Sequence, residues 1–170
     1  MFSRHFSHNL IAKLSFDSYI CCLLTNYSFK KIKDMYPEAL VTPMKAELTA
    51  VGFEDLRTPD SVENALKTEG TVLMVVNSVC GCAAGACRPG VKLSLDNGKK
   101  PSKLTTVFAG FDGDAVNQAR QHFAPYPPSS PAIALFKNGE LVHFVERHNI
   151  EGRTAAMIAE HLKMVYDEFC

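Results

Sequence analysis

Short apolar runs that predict strands recur along the chain from residue 71 onward. Thr71–Asn77 (TVLMVVN) is apolar, rich in β-branched residues and too short for a typical helix, which favours a strand buried on both faces of a parallel sheet. Leu104–Phe111 repeats this pattern. Ala132–Phe136 and Leu141–Val145 flank Asn138-Gly139, a pair that accepts positive φ at little cost and predicts a hairpin. The last two strands are therefore expected to be antiparallel neighbours.

Four stretches outside the cysteine-rich region place apolar residues at helical spacing. The first ends at Gly52 and contains Pro43, which predicts either a separate first turn or a kink. The second begins with Thr58-Pro59, a capping residue followed by a first-turn proline. Asp112 is the predicted cap of the third helix and Thr154 that of the fourth.

The order of these elements predicts the fold class. From a short strand predicted at Phe53–Arg57, the order is β-α-β-α-β-α-β-β-α, preceded by one helix. Right-handed crossovers then place helices on both faces of a mixed sheet with an antiparallel end. We therefore expect an α/β fold with a central mixed sheet flanked by helices and an extra N-terminal helix. A chain of 170 residues suits one domain with its own core.

Residues 1–34 differ from the rest of the chain. They show neither a clean helical period nor a clean strand period, and they hold five lysine or arginine residues against two aspartates. We expect an N-terminal extension that is poorly ordered or a mis-assigned start, with an ordinary helix covering the core as the equal alternative. The patterned domain is expected to span residues 35–170.

Charge and apolar content exclude two classes of partner. Lysine plus arginine and aspartate plus glutamate both number 18, so no net field recruits nucleic acid or an anionic membrane. Lys13 and Asp17 interrupt the apolar stretch that a signal peptide requires, and no later run is long enough to span a bilayer. The expected location is the cytoplasm, where thiols stay reduced and paired cysteines are more often catalytic or metal-binding than structural.

Two cysteines separated by one glycine follow the first apolar strand, in the segment VVNSVCGCAAGACRPG. Reactive groups in open α/β sheets gather beyond the carboxyl ends of strands, where the next helix begins; here that helix is one that Pro89 kinks or restarts. A helix N-terminus favours thiolate over thiol, so Cys80 is the predicted nucleophile with a lowered pKa. Cys82 is expected to be less exposed and suits the resolving role. The one-residue loop across Gly81 would make their disulfide strained and labile.

A second feature lies far away in the sequence. Pro131 follows the turn YPPSS and enters the strand Ala132–Phe136, a position where a cis peptide bond is often built. A cis Ser130–Pro131 bond facing the cysteines would let the backbone of Ser130 pair with a substrate chain. An ordinary trans proline is the alternative, and without the cysteines it is favoured, because only about 5% of X–Pro bonds are cis.

Four segments carry a resemblance to a known family: CGCAAGACRPG, PPSSPAIAL, HFVERHNIEGR and MYPEALVTPMKAELTAVGFEDLRTP. The region that they mark, residues 35–170, resembles the bacilliredoxin family of thioredoxin-like proteins. The resemblance implies a thioredoxin-like fold and a cytoplasmic reductant of mixed disulfides between protein cysteines and bacillithiol, the low-molecular-weight thiol of many bacteria that lack glutathione. S-thiolated proteins would be the partners and bacillithiol the co-substrate, with no bound cofactor.

The resemblance also implies roles for individual residues. Cys80 would attack the mixed disulfide and take up the small thiol, while Cys82 would resolve the adduct or form the internal disulfide. Gly81, Ser130 and Pro131 would contact the substrate, and the expectation that Pro131 follows a cis bond is raised. Weak disulfide isomerase activity is implied as well.

Cys87 departs from the family pattern, in which alanine is expected at this position. A second resolving partner or a third metal ligand is one interpretation, and Cys80, Cys82 and Cys87 with His143 or His148 form the alternative metal or iron–sulfur site. The spacing argues against it, because zinc knuckles use two to four residues between paired cysteines and a cluster needs a fourth ligand. A small residue inside a helix is the simpler interpretation of Cys87.

Three arginines are candidates for binding the carboxylates of bacillithiol, because a guanidinium fork suits a carboxylate. They are Arg88, Arg147 and Arg153. Solvated surface charge is the simpler interpretation of each. His143 lies in a predicted strand with Leu141 and Val145 on its face, and it is interpreted as a satisfied core or edge histidine rather than a catalytic base.

Overall fold

The computed structural model describes residues 35–170, so the expectation for residues 1–34 lies outside the described part of the chain. Five strands and six α-helices follow one another in residues 35–170, with a π-helical segment at Ala83–Cys87. The strands are β1 Glu54–Asp55, β2 Thr71–Asn77, β3 Lys103–Phe108, β4 Ala132–Lys137 and β5 Glu140–Val145. The helices are α1 Glu38–Thr49, α2 Pro59–Leu66, α3 Arg88–Ser94, α4 Gly113–Gln121, α5 Arg147–Ile150 and α6 Ala155–Phe169.

β2 is the centre of one five-stranded sheet, whose order is β1-β3-β2-β4-β5. β3 pairs in parallel with β1 and β2, whereas β4 pairs antiparallel with β2 and β5. All seven residues of β2 are buried, as expected for a strand with a neighbour on each edge and helices over each face. The predicted mixed sheet with an antiparallel end is confirmed. The turn between β4 and β5 has positive φ at Asn138 (53°) and Gly139 (84°), as the hairpin pattern predicts.

The apolar side chains of β2 alternate between two cores, one on each face of the sheet. Val72, Met74 and Val76 belong to the core that includes residues of α2 and α4. Leu73 and Val75 belong to the core that includes residues of α3 and α6. Successive side chains of a strand point to opposite faces of the sheet. Since helices cover both faces here, consecutive residues of β2 must be apolar.

α1 is continuous from Glu38 to Thr49 and passes through Pro43, so the separate first turn that was one of two predicted outcomes does not form. Its buried side chains are Val41, Lys45 and Leu48. Leu40, an apolar residue of the same helix, is exposed. Within residues 35–170, none of these helices is both long enough and apolar enough to cross a bilayer.

Two predicted helix caps are confirmed, and the third is corrected. The hydroxyls of Thr58 and Thr154 each accept a hydrogen bond from the N–H three residues further along the chain. Asp112 precedes α4, but its side chain does not cap the helix. Its carboxylate instead accepts hydrogen bonds from the ammonium of Lys45 (2.6 Å) and the N–H of Phe108 (3.1 Å). Because the buried ammonium of Lys45 binds the carboxylate of Asp112, that carboxylate does not cap α4.

α3 and α6 approach each other closely at Gly90. A Cβ atom at this position would lie 2.7 Å from Cβ of Ile158 and 2.9 Å from the carbonyl oxygen of Ala155, which is closer than van der Waals contact allows. The absence of a side chain at Gly90 therefore lets the two helices pack against each other. This contact also fixes the position of the helical segment that begins at the cysteines.

Replacing Gly90 by alanine is expected to destabilise the fold by about 1–3 kcal/mol, the usual effect of an added methyl group in a closely packed interior. Equilibrium unfolding in urea measures this change. Gly85→Ala is the matched control, because a Cβ at Gly85 would meet no atom of the described residues within 4 Å. That variant should be as stable as the parent or more so, since alanine favours helix. Equal stability of the two variants would contradict the packing role of Gly90.

Candidate active site

Cys80 lies between the carboxyl end of β2 and the first turn of the helical segment that leads into α3. β2 ends at Asn77. Helical hydrogen bonding begins at Cys80, whose carbonyl oxygen accepts from the N–H groups of Ala83 (3.1 Å) and Ala84 (3.2 Å). Cys80 is thus the residue that precedes the first helical turn, where free backbone N–H groups are available. This agrees with the helix start predicted from the sequence.

Hydrogen-bond donors surround Sγ of Cys80. The N–H of Ala83 lies 3.4 Å from this sulfur and the hydroxyl of Ser78 lies 3.3 Å from it. Burial by itself raises the pKa of Cys80, whereas hydrogen bonds from Cys82, Ser78 and Ala83 lower it, as does the positive charge of Arg147. The lowering effects are larger in sum, so the pKa of Cys80 lies below its usual value.

The pKa of Cys82 shifts in the opposite direction. Burial raises it most, and the hydrogen bond to Cys80 and the negative charge of the Cys80 thiolate raise it further. Both side chains are partly exposed, and the expectation that Cys82 is the less exposed of the two stays a prediction. The pair therefore combines one thiol that ionises readily with one that retains its proton. A side chain at Gly81 would meet no described atom within 4 Å, so the backbone between them is open.

The helix after the cysteines is continuous through Pro89 and contains an extra residue in one turn. The N–H of Arg88 bonds to the carbonyl oxygen of Ala83, five residues earlier, in the π-helical segment. Pro89 has no N–H, so one regular helical hydrogen bond is missing at this point. The predicted kink or restart is therefore a local widening of the helix.

Cys87 faces the interior of the protein. Its side chain is fully buried in the core that includes residues of α3 and α6, and burial raises its pKa to about 12. A thiol that keeps its proton at neutral pH is a poor nucleophile and a poor metal ligand. Within residues 35–170, no group of three or more histidine, cysteine or acidic side chains is arranged to hold a metal ion. The geometry agrees with the interpretation of Cys87 as a small helix residue.

Arg88 is corrected from a surface residue to a buried one. Its side chain is 2% exposed, and its Nε donates to Glu47 of α1 at 2.8 Å. Its Nη1 donates to Oδ1 of Asn77 and to the carbonyl oxygen of Ser78, both at 3.1 Å. The guanidinium therefore holds the last residue of β2 and the residue that follows it, two positions before Cys80. It is not available to bind a substrate carboxylate.

The segment before β4 borders the same site. β4 begins opposite the next-to-last residue of β2, so Ser130 and Pro131 lie near the carboxyl end of β2. The Ser130–Pro131 peptide bond is cis, the geometry that the resemblance implies. Ser130, Cys80 and Arg147 together line a hollow of about 310 Å³, which we call the cysteine cleft.

Arg120 also lines the cysteine cleft, and no feature of the sequence singled it out. It lies in the last turn of α4, where a basic residue is common because it favours the helix dipole. About 40 residues separate it from Cys80 along the chain. Only the packing of α4 beside the sheet brings the two residues to one cleft.

Arg153 lies in a different place. With His143 and His161 it lines a separate hollow of about 230 Å³ between β5 and α6. The Nε2 atoms of the two histidines are 2.8 Å apart, so one ring donates and the other accepts. His143 is thus a satisfied, half-buried histidine, as predicted. Neither it nor Arg153 lines the cysteine cleft.

Fold and site together define a class of protein. A sheet with this order and pairing, carrying two cysteines at the start of the helix after its central strand, is the arrangement of thioredoxin-like thiol–disulfide oxidoreductases. This chain is an enzyme of that class. Its resemblance to known proteins identifies the family more closely.

The family model described as disulphide isomerase matches residues 36–170. A bacilliredoxin from Cytophaga hutchinsonii is 66% identical over 134 residues, which cover 79% of this chain and 99% of that relative. A bacilliredoxin from Koribacter versatilis is 50% identical over 137 residues, which cover 80% and 94% of the two chains. Mitochondrial thioredoxin 3 from Saccharomyces cerevisiae, a solved structure, is 14% identical, with a TM-score of 0.48 over 72% of this chain and 98% of that chain. The chain belongs to the bacilliredoxin family.

The hydroxyl of Ser78 should affect the titration of Cys80. Because it donates a hydrogen bond to the sulfur, its removal in Ser78→Ala should raise the pKa of Cys80. At neutral pH the thiolate fraction then falls, and alkylation of Cys80 becomes slower. The pH dependence of iodoacetamide labelling, resolved by peptide mapping, measures the midpoint.

Ser102→Ala is the matched control, because its hydroxyl contacts the N–H of Thr71 at the opposite end of β2. It should leave the midpoint for Cys80 unchanged. In the parent protein the midpoint for Cys80 should lie below that for Cys82. A midpoint that does not move in Ser78→Ala would contradict the assigned hydrogen bond.

Proposed function

We propose that this protein reduces mixed disulfides between protein cysteines and bacillithiol, in the cytoplasm of its host. The observation that carries the proposal is the position of Cys80 at a helix start beside Cys82, where its sulfur accepts hydrogen bonds from Ser78 (3.3 Å) and from the N–H of Ala83 (3.4 Å). These contacts agree with a lowered pKa of Cys80 and a raised pKa of Cys82. A nucleophile must be ionised at neutral pH, whereas a resolving thiol acts after the first exchange. The bacilliredoxin relatives support bacillithiol as the small thiol.

In the first step, the Cys80 thiolate attacks the bacillithiol sulfur of the mixed disulfide. A bond forms between Cys80 and bacillithiol, and the bond to the substrate protein breaks. The substrate cysteine leaves as a thiolate and takes a proton from solvent. The positive charge of Arg147 and the donors around Cys80 favour the ionised form that this step requires.

In the second step, Cys82 loses its proton and attacks Sγ of Cys80. The Cys80–Cys82 disulfide forms across Gly81, and bacillithiol leaves as a thiolate. Two electrons have then passed from the cysteine pair to the substrate, so a further thiol reductant must restore the pair. In a direct exchange, a second bacillithiol thiolate would instead attack the bacillithiol sulfur of the adduct, so that Cys80 leaves as a thiolate, bacillithiol disulfide forms and the cysteine pair stays reduced.

The backbone of Ser130 is the proposed contact for the substrate protein. Ser130 lines the cysteine cleft together with Cys80, and Pro131 follows it directly before β4. An extended chain could pair with this segment. The same contact would serve the weak disulfide isomerase activity that the family description suggests. A cysteine pair that acts as a reductant must be kept in the dithiol form, which supports a reducing compartment such as the cytoplasm.

Intact mass spectrometry after mixing the reduced protein with a bacillithiolated test protein tests this function. Cys82→Ala should accumulate one bacillithiol adduct, because the first exchange proceeds and the resolving thiol is missing. Cys80→Ala should gain none and should leave the test protein modified. Cys87→Ala is the control and should behave like the parent, since its thiol is buried. Transfer that survives in Cys80→Ala would refute the proposal.

A further inference from the structure

The described side chains that line the cysteine cleft include two arginines and no carboxylate. Arg120 and Arg147 both line it, together with Tyr36, Ser78, Cys80 and Ser130. No aspartate or glutamate is among the described residues that line it. The hollow on the other side of Arg147 differs, because Glu146 and Glu151 line it. Positive potential is therefore concentrated beside Cys80.

Arg120 is the unusual member of the cleft. Its Nε is buried, and it is the one buried side-chain nitrogen or oxygen within residues 35–170 that has no hydrogen-bond partner. No ion pair involves Arg120 in that part of the chain. Burial lowers its pKa, and no neighbouring carboxylate opposes this effect. A buried guanidinium nitrogen without an acceptor is unfavourable in the free protein, and a ligand in the cleft would supply the missing acceptor.

Arg147 reaches the cleft from the other side. It is exposed, and its one contact with a described carboxylate, between Nη2 and Glu151, is long at 3.4 Å. Its positive charge acts on both Cys80 and Cys82. Its own backbone N–H donates to the hydroxyl of Ser129 at 2.7 Å, which ties it to the segment before β4. Two arginines on separate elements, α4 and α5, can therefore approach one small ligand from two directions.

We propose that Arg120, with Arg147, forms a carboxylate-binding subsite that holds the small-thiol half of a mixed disulfide next to Cys80. This inference rests on the proposed function and adds the class of ligand, a low-molecular-weight thiol that carries carboxylate groups. A guanidinium fork binds a carboxylate through charge-assisted hydrogen bonds. A volume of about 310 Å³ lies at the lower end of small-ligand sites, which fits a small thiol and not a folded protein.

The subsite also determines which sulfur is attacked. Carboxylates held at Arg120 place the sulfur of the small thiol nearest to Cys80, so that the substrate protein is the leaving group. The bond between Cys80 and the small thiol forms, and the bond to the protein sulfur breaks. Attack on the sulfur of the substrate protein would instead link Cys80 to that protein and release the small thiol.

Two symmetric disulfides test the subsite: that of mercaptopropionate, which carries two carboxylates, and that of mercaptoethanol, which is neutral. The full chain with Cys82→Ser retains the adduct on Cys80, and intact mass spectrometry at neutral pH gives the rate. Adding Arg120→Met should slow the reaction of the carboxylated disulfide about tenfold or more, as expected for the loss of one charge-assisted hydrogen bond. The rate with the neutral disulfide should change less than about twofold.

Arg153→Met in the same background is the matched control, because Arg153 lines a separate hollow. It should change neither rate. If Arg120→Met slows both disulfides equally, or slows neither, the subsite is refuted. If Cys80 reacts with neither disulfide before Arg120 is changed, the proposed function fails instead.

A ligand that cannot exchange tests binding independently of redox chemistry. Thiodipropionate has two carboxylates and a thioether in place of the disulfide. It should raise the melting temperature of the parent protein and should not do so in Arg120→Met. No rise in the parent, or an equal rise in both, overturns the subsite whatever the cysteines do.

The melting temperature without ligand separates a binding role from a structural one. Arg120→Met keeps most of the volume of the side chain and removes an unpartnered charge, so it should melt at the same temperature as the parent or higher. A clear fall in melting temperature together with equal loss of both exchange rates would assign Arg120 to the fold and refute the subsite.

Discussion

The buried guanidinium of Arg88 connects three parts of the chain that together form the site. It binds Glu47 of α1, the side chain of Asn77 at the end of β2, and the backbone of Ser78. Ser78 in turn donates to the sulfur of Cys80, so the position of that donor depends on Arg88. Hydrogen bonds to charged groups are stronger and more directional than neutral ones. Because these hydrogen bonds hold the segment before the cysteines in place, Cys80 and Cys82 can remain accessible to solvent.

The chemistry depends on two thiols in one short segment behaving differently. Cys80 is stabilised as a thiolate by the first helical turn, by Ser78 and by the charge of Arg147, whereas Cys82 must ionise next to a negative sulfur. The same proximity that lowers one pKa raises the other. A third cysteine in the same helix, Cys87, is removed from this chemistry by burial. Position relative to the helix start and to solvent therefore separates the roles of three chemically identical side chains.

The part of the candidate site whose residues are neighbours in the sequence could be predicted, whereas the contacts between distant residues could not. The strand, the cysteines and the helix start are neighbours in sequence, so their geometry follows from the pattern around Cys80. Arg88 was misjudged because charged residues are usually exposed and its partners at Glu47 and Asn77 are distant in sequence. Arg120 had no signal for the same reason. Asp112 was assigned as a cap because its position permits one, but Lys45, on a different helix, binds its carboxylate.

The sequence by itself determined the order of the strands and of the longer helices, the hairpin at Asn138-Gly139 and the helix starts at Thr58 and Thr154, but not the short helix α5. These features depend on residues within a few positions of one another, where backbone sterics and hydrogen bonds act directly. Only the tertiary structure decided the partners of Arg88 and Lys45 and the place of Arg120 in the cysteine cleft. Long charged side chains reach across elements, and whether they meet a carboxylate, a carbonyl oxygen or an open cleft depends on how helices pack on the sheet. That packing results from burial of the whole core, which no short stretch of sequence encodes.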